Sequence, residues 1–155
     1  MSERPDLDLA AAHRHFSAGC FNLAWDLINK SERTPEENEQ MLRLSLASHW
    51  HWTQRPDCTQ ENVSIAHWQT SRVYAVLGQA ENARRYAQLC LEISSGGDVP
   101  LWCLGFAYEA LARSELVAGN LTSMSEYLRE ALGVAEAITD PETRQMLLAD
   151  LETIK

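Results

Sequence analysis

Apolar residues recur at helical spacing along most of this chain. The clearest stripe steps by three and four residues, which places its members on one face of a helix. Its members are Leu121, Met124, Leu128, Ala131, Ala135 and Ile138. No segment alternates apolar and polar residues with the β-branched enrichment of a half-buried strand. The pattern therefore predicts an all-α protein.

Residues that favour helix ends divide the chain into short-linked segments. Thr34-Pro35 and Asp140-Pro141 each combine an N-cap side chain with a proline that is tolerated in the first helical turn. Gly96-Gly97 is typical of a helix end. Because the connections are short, consecutive helices should be antiparallel neighbours. The predicted helices cover residues 6–17, 21–31, 35–54, 60–77, 80–94, 100–118, 122–138 and 141–153.

Two of the predicted helix pairs resemble each other. Aligning Gly78 with Gly119, at an offset of 41 residues, places Trp68 opposite Glu109 and Arg72 opposite Arg113. Small residues stand where paired helices would cross, and a glycine stands at each turn. The residues that carry the pattern are Ser71, Tyr74, Gly78, Ala83 and Cys90 in the first pair, and Leu111, Ala112, Gly119 and Ala131 in the second.

This pattern resembles the tetratricopeptide repeat (TPR) family, most clearly over residues 60–138, and is similar to bacterial helical-repeat proteins with no assigned activity. Glu115 departs from it, because an aromatic residue is usual there, and so does Met124, where alanine is usual. The resemblance implies an antiparallel helix-hairpin array, a TPR-like right-handed α-solenoid of about eight helices. It further implies a single domain over 1–155, with irregular N-terminal helices over 1–59 and a capping helix over 141–153.

Gly19 introduces a conflict with that regular array. The segment 16–24 has the glycine–aromatic–alanine spacing of a repeat turn. If Gly19 is a turn, then 6–17 and 60–77 cannot both be inner helices of a strictly alternating array. Either 35–54 is an irregular element packed across the end, or the Gly19 match is accidental. We favour the irregular element.

Composition excludes several function classes. The 155 residues carry a formal net charge of −9, and 45% of them are hydrophobic. That hydrophobic fraction is typical of a globular protein, and the acidic surface disfavours binding to nucleic acid. No apolar run is long enough for a membrane span, and no secretory signal is visible. We therefore expect a cytoplasmic protein that binds neither nucleic acid nor a membrane.

The four cysteines indicate packing rather than chemistry. Cys20, Cys58, Cys90 and Cys103 form no C-x-x-C motif, so neither a zinc ribbon nor a redox pair is indicated. In a cytoplasmic compartment their thiols should stay reduced.

If the repeat resemblance holds, one side of each inner helix lines a concave groove. The groove positions are Ile65, Trp68, Arg72, Val76, Phe106, Glu109, Arg113 and Val117. Arginine binds carboxylates through two parallel hydrogen bonds, and tryptophan offers a large contact area. Two structural readings stay open: an ordinary i,i+4 ion pair for Glu109 and Arg113, and a cation–π stack for Trp68 and Arg72.

The segment 48–57 is rich in histidine and tryptophan. Histidines two residues apart point about 200° apart around a helix, and no histidine pair has i,i+4 spacing, so we predict no metal site. A pocket that uses a titratable histidine is one interpretation, and a helix end filled by indole rings is the other. The pocket residues would be His49, Trp50, His51, Trp52 and Tyr108, beside Trp68 and Arg72.

Two functions remain open at this stage. The first is a non-catalytic protein-interaction module that binds a peptide, a partner protein or a second copy of itself in the groove. The alternative is a small-ligand sensor or enzyme that uses the pocket. No nucleophile motif or phosphate-binding loop is present, so we predict no catalytic residue and no cofactor, and an enzyme is unsupported.

Overall fold

The computed structural model describes residues 7–155, which fold into seven α-helices without any strand in that range. The helices are α1 (Leu9–Ile28), α2 (Pro35–Thr53), α3 (Gln60–Val76), α4 (Ala80–Ser94), α5 (Leu101–Ala118), α6 (Leu121–Ala137) and α7 (Pro141–Glu152). The chain divides into two compact units, one ending at Cys58 and the other running from Thr59 to Lys155. The all-α prediction is confirmed. None of the helices within the described residues is long and apolar enough to cross a bilayer.

The helix starts follow from local side-chain chemistry. Thr34 accepts a hydrogen bond from the backbone N–H of Glu37, and the Glu37 carboxylate accepts one from the N–H of Thr34. This reciprocal capping box satisfies two N–H groups that have no partner inside the helix. Asp140 caps α7 through the N–H of Thr143, with Pro141 in the first turn. Both predicted cap-then-proline starts are confirmed.

The described residues form seven helices rather than about eight, because the predicted helices 6–17 and 21–31 fall mostly in the single helix α1, and residue 6 lies outside the described residues. Gly19 lies inside α1, and its backbone is not in the left-handed conformation of a turn glycine. One glycine in a helix costs about 1 kcal/mol, which the packing of a 20-residue helix offsets. The Gly19 match to a repeat turn is therefore accidental, and the preferred explanation, an irregular 35–54 element, is not needed.

The first unit is the antiparallel hairpin of α1 and α2. Ala24, Ile28 and Met41 are buried between the two helices. Ser48 donates to the carbonyl oxygen of Ser17 at 2.7 Å, so a hydroxyl group satisfies a buried polar contact within the interface.

The second unit consists of the hairpins α3–α4 and α5–α6, together with α7. Helices α3 and α5 pack side by side, and α7 packs against α5 and α6. Gly78 and Gly119 end α3 and α5 with φ values of 75° and 80°, a left-handed conformation that glycine adopts without a Cβ penalty. The turn role predicted for both glycines is confirmed. The apolar core beside α7 comprises Phe106, Ala112, Ala131, Ala135, Ile138, Leu147, Leu151 and Ile154.

Glu115, which departs from the aromatic residue usual in TPR repeats, connects α4 to α5. Both of its carboxylate oxygens accept hydrogen bonds from the Arg84 guanidinium, at 2.7 and 3.1 Å. The Asn120 side chain donates to the same carboxylate at 2.8 Å. Hydrogen bonding from Arg84 lowers the pKa of Glu115 despite its burial. Glu115 therefore forms an ion pair between α4 and α5.

Candidate functional site

A fully buried carboxylate lies between α3 and α5, at the centre of the predicted groove. Glu109 on α5 has no solvent exposure. Its Oε2 accepts from the Trp68 indole N–H at 2.8 Å, and its Oε1 accepts from Arg72 Nη2 at 3.0 Å and from Arg113 Nε at 2.7 Å. We call these four residues, Trp68, Arg72, Glu109 and Arg113, the inner-face cluster.

The cluster combines the two structural readings into one network. Glu109 and Arg113 form the i,i+4 pair, and the Arg72 guanidinium lies 5.6 Å from the centroid of the Trp68 ring. The Trp68 ring also meets Phe106 edge-on at 5.0 Å between centroids. The sequence therefore indicated both pairs, but not that Glu109 would join them.

The electrostatics of the cluster favour an ionised Glu109. Burial by itself raises the pKa of a carboxyl group, because it removes hydration from the charged form. At Glu109 the two guanidinium groups and the Trp68 N–H outweigh burial and hold the pKa below its ordinary value. With Arg72 and Arg113 both charged, the inner-face cluster carries a net charge of +1.

Helix α7 covers the cluster and brings a second carboxylate to it. Asp150 Oδ2 lies 3.3 Å from Arg72 Nη2. Arg113 Nη2 donates to the Asp150 carbonyl oxygen at 3.1 Å and to Thr153 Oγ1 at 2.7 Å. As a result, the side chains of Arg72 and Arg113 are only 12% and 14% exposed. The last two turns of α7 therefore lie on the face that we expected a partner to contact.

The other predicted groove residues differ in exposure. Phe106 is buried beneath α7, Ile65 and Val76 are half-buried, and Val117 is exposed near the end of α5. Sequence reasoning missed Asp150 and Thr153. A signal was available for Asp150, because it lies beside the apolar stripe of the C-terminal helix.

Acid should hold α7 more tightly than neutral pH does. Burial raises the pKa of Asp150, and the charge of Glu109 adds to that effect, although Arg72 and Arg113 oppose it. A carboxyl group whose pKa is raised on folding stabilises the fold at low pH, and that contribution is lost as the pH rises through the folded-state pKa. We therefore expect the wild type to lose stability relative to Asp150→Asn as the pH rises from about 3 to 7. Urea unfolding of both proteins across this range measures the difference, and a pH-independent difference would contradict the assignment.

The predicted pocket residues of the 48–57 segment make contacts within the first unit. His51 Nδ1 lies 2.8 Å from His13 Nδ1, so one ring nitrogen donates to the other. Trp50 is exposed and contacts both histidine rings. The Arg55 guanidinium stacks over the Trp52 ring at 4.0 Å.

The other two predicted pocket residues, His49 and Tyr108, belong to different units. His49 is half-buried on α2, and burial lowers its pKa. Tyr108 belongs to the second unit, where it stacks on Tyr127. The structure thus brings His51 and Trp50 together with His13, and the pocket as a whole stays a prediction.

The histidine pair should make the α1–α2 hairpin sensitive to acid. Burial, and then the charge of His13, lower the pKa of His51. A group whose pKa is lowered on folding stabilises the fold at pH values above its ordinary pKa, and this contribution is lost as the pH falls.

We expect the wild type to lose stability relative to His51→Phe as the pH falls from about 7 to 5. The matched control is His15→Phe on the exposed side of α1, which should follow the wild-type pH dependence. Tryptophan fluorescence during urea unfolding measures both. Parallel curves for all three proteins would contradict the role of the pair.

The described residues do not bring together the ligands that a metal site requires. No cluster of three or more His, Cys, Asp or Glu residues within residues 7–155 could hold a metal ion. The four cysteines form no disulfide bond with one another. Burial raises the pKa of Cys90 to about 11 and that of Cys103 to about 12, which leaves both thiols protonated and weakly nucleophilic at neutral pH.

Comparison of the chain with protein-family models, with curated proteins and with solved structures gave no match.

Proposed function

We propose that this protein is a TPR-like α-solenoid that acts as a non-catalytic interaction module and binds a partner protein or peptide on the face formed by α3 and α5. The partner contacts would centre on the inner-face cluster. The single observation that carries this proposal is a buried network of one carboxylate and two arginines, with net positive charge, on the face where the repeat pattern expects a groove.

The repeat register supports the proposal. In a solenoid, equivalent positions of successive repeats lie next to each other on the inner helices. Trp68 and Glu109 are equivalent at the 41-residue offset, and the Trp68 indole donates to the Glu109 carboxylate. Helices α3 and α5 also pack directly against each other, as two inner helices would.

The chemistry of the edge that faces α7 favours an acidic partner. Arg72 and Arg113 direct guanidinium donors away from Glu109, towards α7. Guanidinium groups in such a position bind carboxylates and carbonyl oxygens without any covalent step. This fits recognition better than catalysis, because no nucleophile with an adjacent base is found in the inner-face cluster.

The decisive experiment compares partner capture by paired variants. Alanine at both arginines would leave Glu109 as an uncompensated buried charge and destabilise the fold, so it is a poor test. Glu109→Gln/Arg113→Gln instead removes one positive and one negative charge together. We expect this double variant to retain at least about tenfold less partner than the wild type in a pull-down from the source organism's lysate.

The control is Arg129→Gln, which removes an exposed arginine from α6. It should retain the partner at the wild-type level. Capture that is equal for all three proteins, each verified as folded by circular dichroism, would contradict the proposed groove.

A further inference from the structure

The polar and apolar contacts of α7 describe what the inner face accepts. Leu147 and Leu151 are four residues apart on one face of α7, Ile154 follows just after the helix ends, and all three are buried. Asp150 lies three residues after Leu147, at the edge of the same face, and reaches Arg72. Helix α7 is therefore an amphipathic helix whose buried side combines an aliphatic stripe with one carboxylate.

The surface of α5 is shaped for this stripe. Gly105 faces α7, and a Cβ atom built on it would lie 2.6 Å from Leu147 Cδ2 and 3.2 Å from Val134 Cγ1. Only a residue without a side chain allows the leucine to approach this closely. A docked helix thus needs both the space at Gly105 and the guanidinium groups at the other end of the face.

Helix α7 contacts α5 and α6 but takes no part in the pairing of the other helices in the second unit with one another. The packing of α3 with α4, of α4 with α5 and of α5 with α6 does not involve α7. Asp150 is half-buried and its desolvation raises its pKa, so the ionised carboxylate carries a desolvation cost at neutral pH. A helix held in this way can be exchanged for another of matching chemistry.

We propose that α7 is an exchangeable internal ligand of the surface that α5 and α6 form beside Arg72 of α3, and that the partner is an amphipathic helix presenting a carboxylate in the place of Asp150 and aliphatic side chains in the places of Leu147, Leu151 and Ile154. This inference rests on the proposed function and specifies its partner. The external helix must compete with a tethered segment that has a high local concentration, so binding is weak until α7 is displaced.

A peptide of residues 139–155, acetylated and labelled with fluorescein, is the probe. Ala149 is exposed within α7, and Ala149→Pro in the full-length chain breaks that helix while leaving every core side chain present. We expect fluorescence anisotropy to show at least about tenfold tighter binding of the peptide to the Ala149→Pro chain than to the wild type. A peptide with Asp150→Lys should bind the same chain at least about tenfold more weakly.

Two glycine variants, one at the docking surface and one away from it, provide a matched control. Added to the Ala149→Pro chain, Gly105→Ala places a methyl group where the peptide's Leu147 must lie and should abolish binding. Gly133→Ala, at a helical glycine whose Cβ would meet nothing within 4 Å, should leave binding unchanged. If Ala149→Pro fails to fold, Leu147→Ala in the chain weakens α7 docking by a different route and serves the same comparison.

Three results would overturn the inference. They are equal peptide affinity for the wild-type and Ala149→Pro chains, no peptide binding to the Ala149→Pro chain or the Leu147→Ala chain, and identical effects of the two glycine variants on peptide binding. These results are separate from the pull-down. If the peptide never binds but partner capture still depends on Glu109 and Arg113, the proposed function stands and only the exchangeable-helix inference fails.

Discussion

Replacing Glu109 with leucine should lower the free energy of unfolding of the second unit by about 3–5 kcal/mol. The glutamate is fully buried and is the shared acceptor for Arg72, Arg113 and the Trp68 indole. Leucine leaves two guanidinium groups close together with only Asp150 to compensate them, and removing one member of a buried ionic network strands the others. Urea unfolding followed by circular dichroism measures the loss.

Two further variants separate charge from packing at Glu109. Glu109→Gln keeps one carbonyl oxygen that can accept from the two guanidinium groups, although its NH2 group cannot accept from the Trp68 indole. It should therefore cost less than leucine, which accepts from none of these donors. Glu126→Leu removes an exposed carboxylate from α6 and should change stability by no more than about 0.5 kcal/mol. A leucine variant at Glu109 as stable as the Glu126 control would contradict the described network.

Leu147→Ala should cost about 2–5 kcal/mol in the docking of α7. Leu147 has no solvent exposure, and its side chain fills the space above Gly105 between α5 and α6. Alanine leaves a cavity there, and the surrounding helices close it only in part. Hydrogen exchange followed by mass spectrometry should show faster exchange of the α7 amides, with α3 and α4 little changed, because α7 opens locally.

Met146 offers a matched control for this cavity. It is the preceding residue on α7 and is 59% exposed. Met146→Ala should change both stability and exchange by little, because no buried contact is lost. Equal effects of the two alanine variants, or exchange that rises across the whole second unit, would indicate that α7 is not an independently opening element.

Local sequence signals predicted the second unit well. The cap at Asp140 and the turn glycines Gly78 and Gly119 predicted the neighbouring helix ends to within a residue or two. The 41-residue offset also indicated that Trp68 and Glu109 occupy equivalent positions. These features depend on neighbours in sequence or on exact repetition, so the sequence alone predicts them.

The predictions that fail concern one local turn and several contacts between distant segments. The turn predicted at Gly19 is wrong, because a glycine marks a turn only where the backbone must become left-handed. The pairing of His13 with His51 is set by the antiparallel register of α1 and α2, in which residues equally far from the connecting loop face each other. Likewise, the contacts of Asp150 and Thr153 with Arg72 and Arg113 join residues far apart in sequence, so no local pattern predicts them.

The most direct test of helix docking against the inner-face cluster is a nuclear magnetic resonance titration of indole N–H groups. The Ala149→Pro chain, labelled with ¹⁵N, is titrated with the unlabelled peptide of residues 139–155. The indole of Trp68 donates to Glu109 beneath the docking face, whereas Trp50 is exposed in the first unit. We predict that the Trp68 resonance shifts in proportion to bound peptide while that of Trp50 stays in place. A Trp68 resonance that is unmoved at saturating peptide would contradict the claim that a helix docks against the inner-face cluster.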